Sequence, residues 1–205
     1  MKLNYILLIS ILFFSQCIKE RLNPYDAGNP QAWSSSNLDV TKYRNGDEIP
    51  QVQNASLGYL TTGAWCYYEY NSANGAKYGK LYNEYAVTDP RGLAPAGYRI
   101  PSNQDWSALI GYLGEKKAGH KMKSKNGWDN NGNGTNSSAF NGLPGGCRES
   151  GAFSGIGANG NWWSSTVYYG SDYFTFYDTS CYVYRYKTSY YANGGDFFSV
   201  RCLKD

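Results

Sequence analysis

Apolar and polar positions follow three patterns along this 205-residue chain. Residues 1–16 hold Lys2 followed by a largely apolar run from Leu3 to Phe14. This run is shorter than the roughly 20 residues that a membrane-spanning helix needs, and its order is that of a signal peptide. Residues 17–40 are polar and turn-rich without apolar periodicity, so we expect a tether there. The folded domain is predicted to occupy residues 41–205.

One helix is predicted from about Asn103 to Leu113. Ser102 precedes it as the N-cap, and Asp105 three residues later forms a shorter relative of the capping box. Apolar side chains recur at spacings of three, four and seven, which predicts one buried face formed by Trp106, Leu109, Ile110 and Leu113. Gly114 predicts the end of the helix.

Tyrosine is concentrated near the C-terminus, where nine of the 21 tyrosines follow Asn161. An alternation of two predicts two strands with a tyrosine-rich face. That face is either an exposed surface of the kind that binding loops use or a tyrosine-rich core with hydroxyl groups at its rim. The predicted faces are Phe174 and Phe176 against Tyr173, Thr175 and Tyr177, and then Cys181, Val183 and Arg185 against Tyr182, Tyr184 and Tyr186.

Residues 126–160 are rich in glycine and asparagine, which predicts a long loop rather than packed regular structure. The stretch from Asp129 to Gly134 offers oxygen ligands for calcium, but the twelfth position of an EF-hand would be Phe140 instead of glutamate. This favours a plain asparagine-rich loop over a calcium site. Zinc is disfavoured because His120 is the only histidine and the chain has no C-x-x-C pair.

Composition narrows the function classes. The chain has 24 Gly and 6 Trp, and only 17% of its residues are charged, which favours short strands joined by turns over a helical bundle. A net charge of +3 without a basic block gives no footprint for nucleic acid. The carboxylates of Glu149, Asp172, Asp178 and Asp196 have no spacing that indicates a glycosidase. We therefore expect no enzyme activity and no cofactor.

Several motifs occur in an order typical of one family. They are YRNGDEIP at residues 43–50, LTTGAWCYY at 60–68, YGKLYN at 78–83, PAGYRIP at 95–101, LPGG at 143–146, WWSST at 162–166 and SVRC at 199–202. From about Asp39 to Asp205 the chain resembles the Fibrobacter succinogenes major paralogous domain, common in exported proteins of Bacteroidetes. The resemblance implies an α+β, C-type-lectin-like fold with the architecture of the formylglycine-generating enzyme: short twisted antiparallel strands, two helices and long irregular loops. It implies no single activity.

Two covalent features follow from resemblance. The segment from Phe14 to Cys17 is similar to a lipobox, although Gln16 departs from the usual small residue, which implies lipidation of Cys17 and a lipid-anchored protein at the cell surface or outer membrane. The alternative is an ordinary secreted protein cleaved nearby. Many family members have cysteine where Ala94 stands here, and the resemblance favours a disulfide between Cys147 and Cys202.

A subset of lectin-like proteins are the variable proteins of diversity-generating retroelements, in which adenine-directed mutagenesis rewrites positions near the C-terminus. Mutation of the adenines in an Asn codon never yields a codon for Lys, Glu, Gln, Met or Trp. None of these five residues occurs from Ser164 to Tyr186. A tyrosine-rich sheet would also avoid charge. The variable region is predicted at about residues 164–196, and its ligand-binding positions are Tyr168, Tyr169, Ser171, Asp172, Tyr173, Thr175, Tyr177, Asp178, Ser180, Tyr182, Tyr184, Tyr186, Ser189, Tyr190 and Tyr191.

The function expected from these features is recognition by an exported surface lipoprotein. Its ligand would be a protein or glycan on another cell, a phage or a host surface, bound by the tyrosine-rich face. The alternative is a fixed-specificity carbohydrate-binding or adhesin lipoprotein on the same scaffold.

Overall fold

The computed structural model describes residues 28–54, 60–167, 170–188 and 195–205. The predicted signal peptide, the predicted lipidation site Cys17 and the first part of the predicted tether lie outside these residues.

The described residues are mixed α+β, as the family resemblance implies, with strands predominating. The strands are β1 (Trp65–Cys66), β2 (Leu81–Asn83), β3 (Tyr98–Arg99), β4 (Gly145–Glu149), β5 (Ala152–Ile156), β6 (Asn159–Val167), β7 (Ser171–Tyr177), β8 (Val183–Lys187), β9 (Phe197–Phe198) and β10 (Leu203–Lys204). The helices are α1 (Ser72–Tyr78), α2 (Glu84–Val87), α3 (Asn103–Leu113) and α4 (Ala118–Met122). The described part thus has four α-helices where two were predicted, because α2 and α4 are too short to leave a periodic pattern.

Eight of these strands form one sheet in the order β1-β2-β9-β4-β6-β7-β8, with β5 paired to β4 as a hairpin. Neighbouring strands are antiparallel except β4 and β6. Strands β3 and β10 form a separate antiparallel pair. The continuous meander from β6 to β8 places Tyr173 opposite Tyr186 and Thr175 opposite Tyr184.

Helix α3 has the bounds predicted from the sequence, from Asn103 to Leu113. Both bonds of the capping box are present, because the Ser102 hydroxyl accepts from the Asp105 amide and the Asp105 carboxylate accepts from the Ser102 amide. Trp106 on the buried face stacks on Phe174 of β7 at 4.7 Å with an interplanar angle of 15°. The helix therefore covers the phenylalanine face of β7.

Residues 126–160 are more regular than their composition indicated. Strands β4 and β5 and the start of β6 lie within this segment, so the prediction of a long loop was wrong for residues 145–160, while residues 126–144 contain no helix or strand. Gly146 shows the physical reason, since its φ is +65° and a Cβ there would approach the Ser154 carbonyl oxygen to 2.5 Å. Gly146 therefore allows two strands to approach each other closely and does not mark a turn.

The packed domain begins upstream of the predicted boundary at residue 41. Trp33 is buried and its ring lies 4.7 Å from that of Trp106. The Leu38 amide donates to the Val200 carbonyl at 2.8 Å. Residues 28–40 therefore belong to the fold, and the tether prediction was wrong for them because isolated apolar residues among polar ones leave no periodicity.

The four described cysteines are free thiols, so the predicted disulfide between Cys147 and Cys202 is not formed. Both side chains are buried in the same apolar cluster. The Cys147 Sγ lies 3.7 Å from the hydroxyl of Ser154, its partner on the neighbouring strand β5. Burial raises the pKa of both thiols to about 11, whereas Cys181 is exposed.

Candidate binding surface on the β7–β8 hairpin

The hairpin formed by β7 and β8 carries a group of neighbouring aromatic rings at the surface. We call the side chains of Tyr177, Ser180, Tyr182, Tyr184 and Tyr186 the tyrosine surface. Tyr182, Tyr184 and Tyr186 keep 48%, 37% and 39% of their area exposed. Tyr184 and Tyr186 are stacked at 6.4 Å with an interplanar angle of 22°, and Tyr177 meets Tyr184 edge-on at 5.5 Å.

Hydroxyl groups connect these rings. The Tyr177 hydroxyl donates to the Tyr186 hydroxyl at 3.4 Å, and the hydroxyls of Ser180 and Tyr184 lie 3.0 Å apart. Burial, and then the hydrogen bond with Tyr186, raises the pKa of Tyr177 well above its ordinary value. The Tyr177 phenol is therefore a neutral hydrogen-bonding group at neutral pH.

Tyr173 forms the floor beneath this surface. It is buried, with its ring 5.7 Å from Tyr186 above and 4.2 Å from Phe198 below. Trp163 also contacts Phe198 at 4.6 Å. The exposed rings are thus the outer end of an aromatic stack that continues into the core, which limits their motion.

Four other predicted binding residues are buried instead of exposed: Ser171, Asp172, Thr175 and Asp178. Each makes a side-chain hydrogen bond to the scaffold. Ser171 donates to Glu84 at 2.9 Å, and Thr175 donates to Asn161 at 2.7 Å. Asp172 accepts from Asn103 at 2.6 Å, and Asp178 accepts from Asn130 at 2.7 Å. The tyrosine-rich face of β7 is therefore buried except at Tyr177, as in the core alternative, whereas the tyrosines that follow this strand are exposed.

The structure thus brings together five predicted residues at the surface and leaves Tyr173 with the four buried ones beneath. The remaining predicted positions, Tyr168, Tyr169, Ser189, Tyr190 and Tyr191, lie outside the described residues.

Lys123, which the sequence analysis did not single out, holds the hairpin by its main chain. Its buried ammonium donates to the carbonyl oxygens of Tyr177 at 2.9 Å, Asp178 at 3.2 Å and Ser180 at 3.0 Å. It also lies 5.0 Å from the centre of the Trp128 ring. Burial lowers the pKa of Lys123. All three acceptors are backbone atoms, so the contact does not depend on which side chains the hairpin carries.

Two glycines extend this main-chain anchoring. A Cβ at Gly119 would lie 2.5 Å from the Tyr182 carbonyl oxygen, and a Cβ at Gly132 would collide with the backbone of Asp178. The His120 amide donates to the Cys181 carbonyl at 3.4 Å. Gly119, His120 and Gly132 therefore lie directly against the backbone of the hairpin. A lysine or glycine in a polar stretch gives no local signal of such a role.

Comparison with known proteins agrees with a folded domain that begins near residue 28. A family model, the Fibrobacter succinogenes major domain, matches residues 28–204. The chain belongs to the Fibrobacter succinogenes major domain family. Neither a search of curated proteins nor a search of solved structures found a match. The match begins at residue 28, which is consistent with the buried position of Trp33.

Acidic groups lie beside the tyrosine surface in this Fibrobacter succinogenes major domain. Burial raises the pKa of Glu149 and of Asp196, and the charge of Asp196 raises the pKa of Glu149 further. Burial, followed by the charges of these carboxylates, also raises the pKa of Tyr173. Asp196 accepts a hydrogen bond from the Ser150 amide at 2.8 Å. In the described ranges no group of three or more His, Cys, Asp or Glu side chains is arranged to hold a metal ion.

None of the helices within residues 28–54, 60–167, 170–188 and 195–205 has the length and apolar character needed to cross a bilayer.

Proposed function

We propose that this chain is an exported, lipid-anchored surface protein that binds a protein or glycan ligand through the tyrosine surface. The scaffold would be C-type-lectin-like, and the chain would be the variable protein of a diversity-generating retroelement. One observation carries the proposal: exposed, mutually packed tyrosines stand on a hairpin whose backbone is held by residues elsewhere in the chain.

Tyrosine suits recognition because each ring supplies a large contact area for the loss of only two side-chain rotations. The rings of Tyr184 and Tyr186 are already ordered by their contacts with Tyr177 and Tyr173. A pre-ordered surface loses less entropy on binding. Ser180 adds a hydroxyl that can adjust its hydrogen bond to a ligand.

Diversification is supported by the division between exposed and buried positions. A residue is replaceable when its side chain makes few scaffold contacts, and Tyr182, Tyr184 and Tyr186 meet this condition. The anchoring contacts of Lys123 reach backbone carbonyls alone. Substitutions at the exposed positions would therefore change the ligand while leaving the backbone of the hairpin in place.

Sequencing the DNA around the gene tests diversification directly. We expect a near-copy of the 3′ end of the gene that differs at adenine positions, with a reverse-transcriptase frame close by. Differences concentrated in the codons of Tyr177, Ser180, Tyr182, Tyr184 and Tyr186 would support the proposed surface. A locus without such a copy would overturn the diversified function.

The second candidate is fixed carbohydrate binding on the same surface. It is favoured by the nearly parallel rings of Tyr184 and Tyr186, because parallel aromatic rings offer a flat apolar platform to the face of a sugar. A glycan array probed with the protein and with Tyr184→Ser/Tyr186→Ser tests it. Binding to one glycan class that the double variant loses would support this function, and an array without signal would contradict it. Tyr112→Ser, which removes an exposed tyrosine on α3, is the matched control.

A further inference from the structure

Strand β8 is the last strand of the eight-stranded sheet, and within the described ranges its outer side pairs with no other strand. Its residues are exposed, except that Val183 is half-buried. The outer edge of a sheet presents backbone N–H and C=O groups to which another chain can add a strand. This edge lies beside the tyrosine surface, because Tyr184 and Tyr186 belong to β8.

The hydrogen bonds at the end of β8 decide which of its backbone groups point outward. The Thr188 amide donates to the Ser171 carbonyl at 2.9 Å, so the backbone of Thr188 faces β7. Backbone groups alternate in direction along an antiparallel strand. Val183 and Arg185, each an odd number of residues before Thr188, therefore direct their N–H and C=O groups away from β7.

The other side of β7 gives the same assignment. The Asp178 amide donates to the Ala158 carbonyl at 2.8 Å, so the even-numbered residues of β7 bond toward β6 and the odd-numbered ones toward β8. Tyr184 lies opposite Thr175 and bonds to β7, whereas its neighbour Arg185 faces outward.

The charge of β8 favours one kind of partner. The strand carries Arg185 and Lys187 and no acidic residue. Arg185 keeps 50% of its side chain exposed, although Asp172 accepts two of its hydrogen bonds. Symmetric pairing of two copies centred on Arg185 would place this arginine opposite itself, and like charges directly opposite each other are destabilising. A strand that carries carboxylates on this face would complement β8, whereas a second copy of the chain would not.

The tyrosine side of an added strand would meet different chemistry. Residues directly opposite each other on antiparallel strands have their side chains on the same face. Residues opposite Tyr184 and Tyr186 would therefore pack against exposed aromatic rings, and β-branched side chains pair well with such rings. The edge thus favours a segment in which acidic and β-branched residues alternate.

We propose that the outer edge of β8 binds an extended, acidic segment of a protein ligand as an added antiparallel strand. The backbone groups of Val183 and Arg185 supply affinity, and the side chains on the two faces supply specificity. The inference rests on the proposed function for the role of the tyrosine surface and names a protein strand as its ligand. Backbone pairing does not depend on side chains, so the edge would stay usable while the exposed tyrosines are exchanged.

Peptide binding to the full chain tests the proposal. The probe is an acetylated eight-residue peptide of alternating threonine and glutamate, with threonine and lysine as the reference peptide. The readout is NMR-detected hydrogen exchange of the Arg185 amide, with the Tyr184 amide, which bonds to β7, as the internal control. We expect the glutamate peptide to slow exchange at Arg185 about tenfold at saturation and the lysine peptide to leave it unchanged. Equal responses to both peptides, or none to either, would overturn the proposal.

Methylated peptides test the direction of the hydrogen bonds. A residue opposite Arg185 exchanges both backbone hydrogen bonds with it, so the glutamates of the bound peptide would direct their N–H groups toward β8. N-methylation of the glutamates should abolish the slowed exchange, and N-methylation of the threonines should retain it. Slowed exchange with the glutamate-methylated peptide would contradict the proposed pairing.

A variant of the strand tests the charge. Lys187→Glu should weaken binding of the glutamate peptide about threefold or more, and Lys125→Glu, the same change at an exposed lysine outside the sheet, is the control. Equal affinities of the two variants would contradict the acidic character of the partner.

Tyr184→Ser/Tyr186→Ser separates this inference from the proposed function. A glycan-array signal that the double variant loses, without any slowed exchange at Arg185, would support the tyrosine surface and overturn the strand pairing alone. Slowed exchange that the double variant retains in full would support strand pairing and count against the tyrosine surface.

Discussion

The two faces of the β7–β8 hairpin differ in what holds them in place. On one face, Phe174 and Phe176 are enclosed by aromatic side chains, with Phe176 4.5 Å from Trp162 and Phe174 stacked on Trp106. On the other face, the outermost rings are exposed and the hairpin beyond them is held through backbone carbonyls. The first face is specified by its side chains, and we expect the second to tolerate changes in them. This difference would allow one hairpin to serve as both core and the proposed binding surface.

The largest expected effect comes from opening the enclosed face. Phe176→Ala removes a fully buried ring that contacts Trp162 and Phe140. We expect a loss of about 3–5 kcal/mol in the free energy of unfolding, because the cavity would remain partly empty. Urea denaturation measures it, with Tyr112→Ala as the exposed aromatic control. A loss below about 1 kcal/mol would show that this face is not a close-packed core.

Removing the main-chain anchor is expected to have the next largest effect. Lys123→Met leaves three buried carbonyl groups without their donor. Hydrogen bonds to charged groups contribute about 1.5–3 kcal/mol each, but the buried ammonium also loses its desolvation cost, so we expect a net loss of about 2–3 kcal/mol. Lys125→Met, at an exposed neighbouring lysine, is the control. Equal stabilities for the two variants would contradict the anchoring role.

The sequence alone predicts those parts of the molecule whose interactions join residues that are close together along the chain. Helix α3 was predicted with its ends because Ser102, Asp105 and Gly114 act within a few residues of one another. The exposed alternation of Tyr182, Tyr184 and Tyr186 was also a local pattern. The role of Lys123 was not predictable, since its acceptors lie 54 to 57 residues away along the chain.

Burial of Ser171, Asp172 and Thr175 was missed for the same reason. The alternation of a strand shows which residues share a face, but the cover over that face comes from distant segments. Asn103, for example, lies 69 residues before its partner Asp172. The sequence therefore indicated the strands of the hairpin but not which of their side chains are exposed.

A smaller effect is expected from the acidic group beside the tyrosine surface. Burial raises the pKa of Asp196 in the folded protein, so the folded state binds its proton more tightly than the unfolded state. Its contribution to stability is therefore present below the unfolded pKa and is lost as the pH rises through the folded pKa. Asp196→Asn removes this loss, so relative to the unmodified protein the variant should gain stability as the pH rises above the ordinary carboxyl pKa.

Urea denaturation at several pH values measures this change, with Glu115→Gln at an exposed position as the control. The asparagine can still accept the hydrogen bond from the Ser150 amide, so the comparison isolates the charge. A variant whose pH profile coincides with that of the unmodified protein would show that the pKa of Asp196 is the same in the folded and unfolded states.

The smallest effect on stability is expected where the effect on recognition is greatest. Serine at Tyr182, Tyr184 and Tyr186 together removes the exposed rings but keeps the carbonyls that Lys123 binds. Surface substitutions usually change stability by no more than about 0.5 kcal/mol each, so the melting temperature should change little while ligand binding is lost. A loss as large as that of Phe176→Ala would mean that these tyrosines are core, and the two faces of the β7–β8 hairpin would then be alike. A nearly unchanged melting temperature would leave the backbone, and not the rings, as what holds this surface in place.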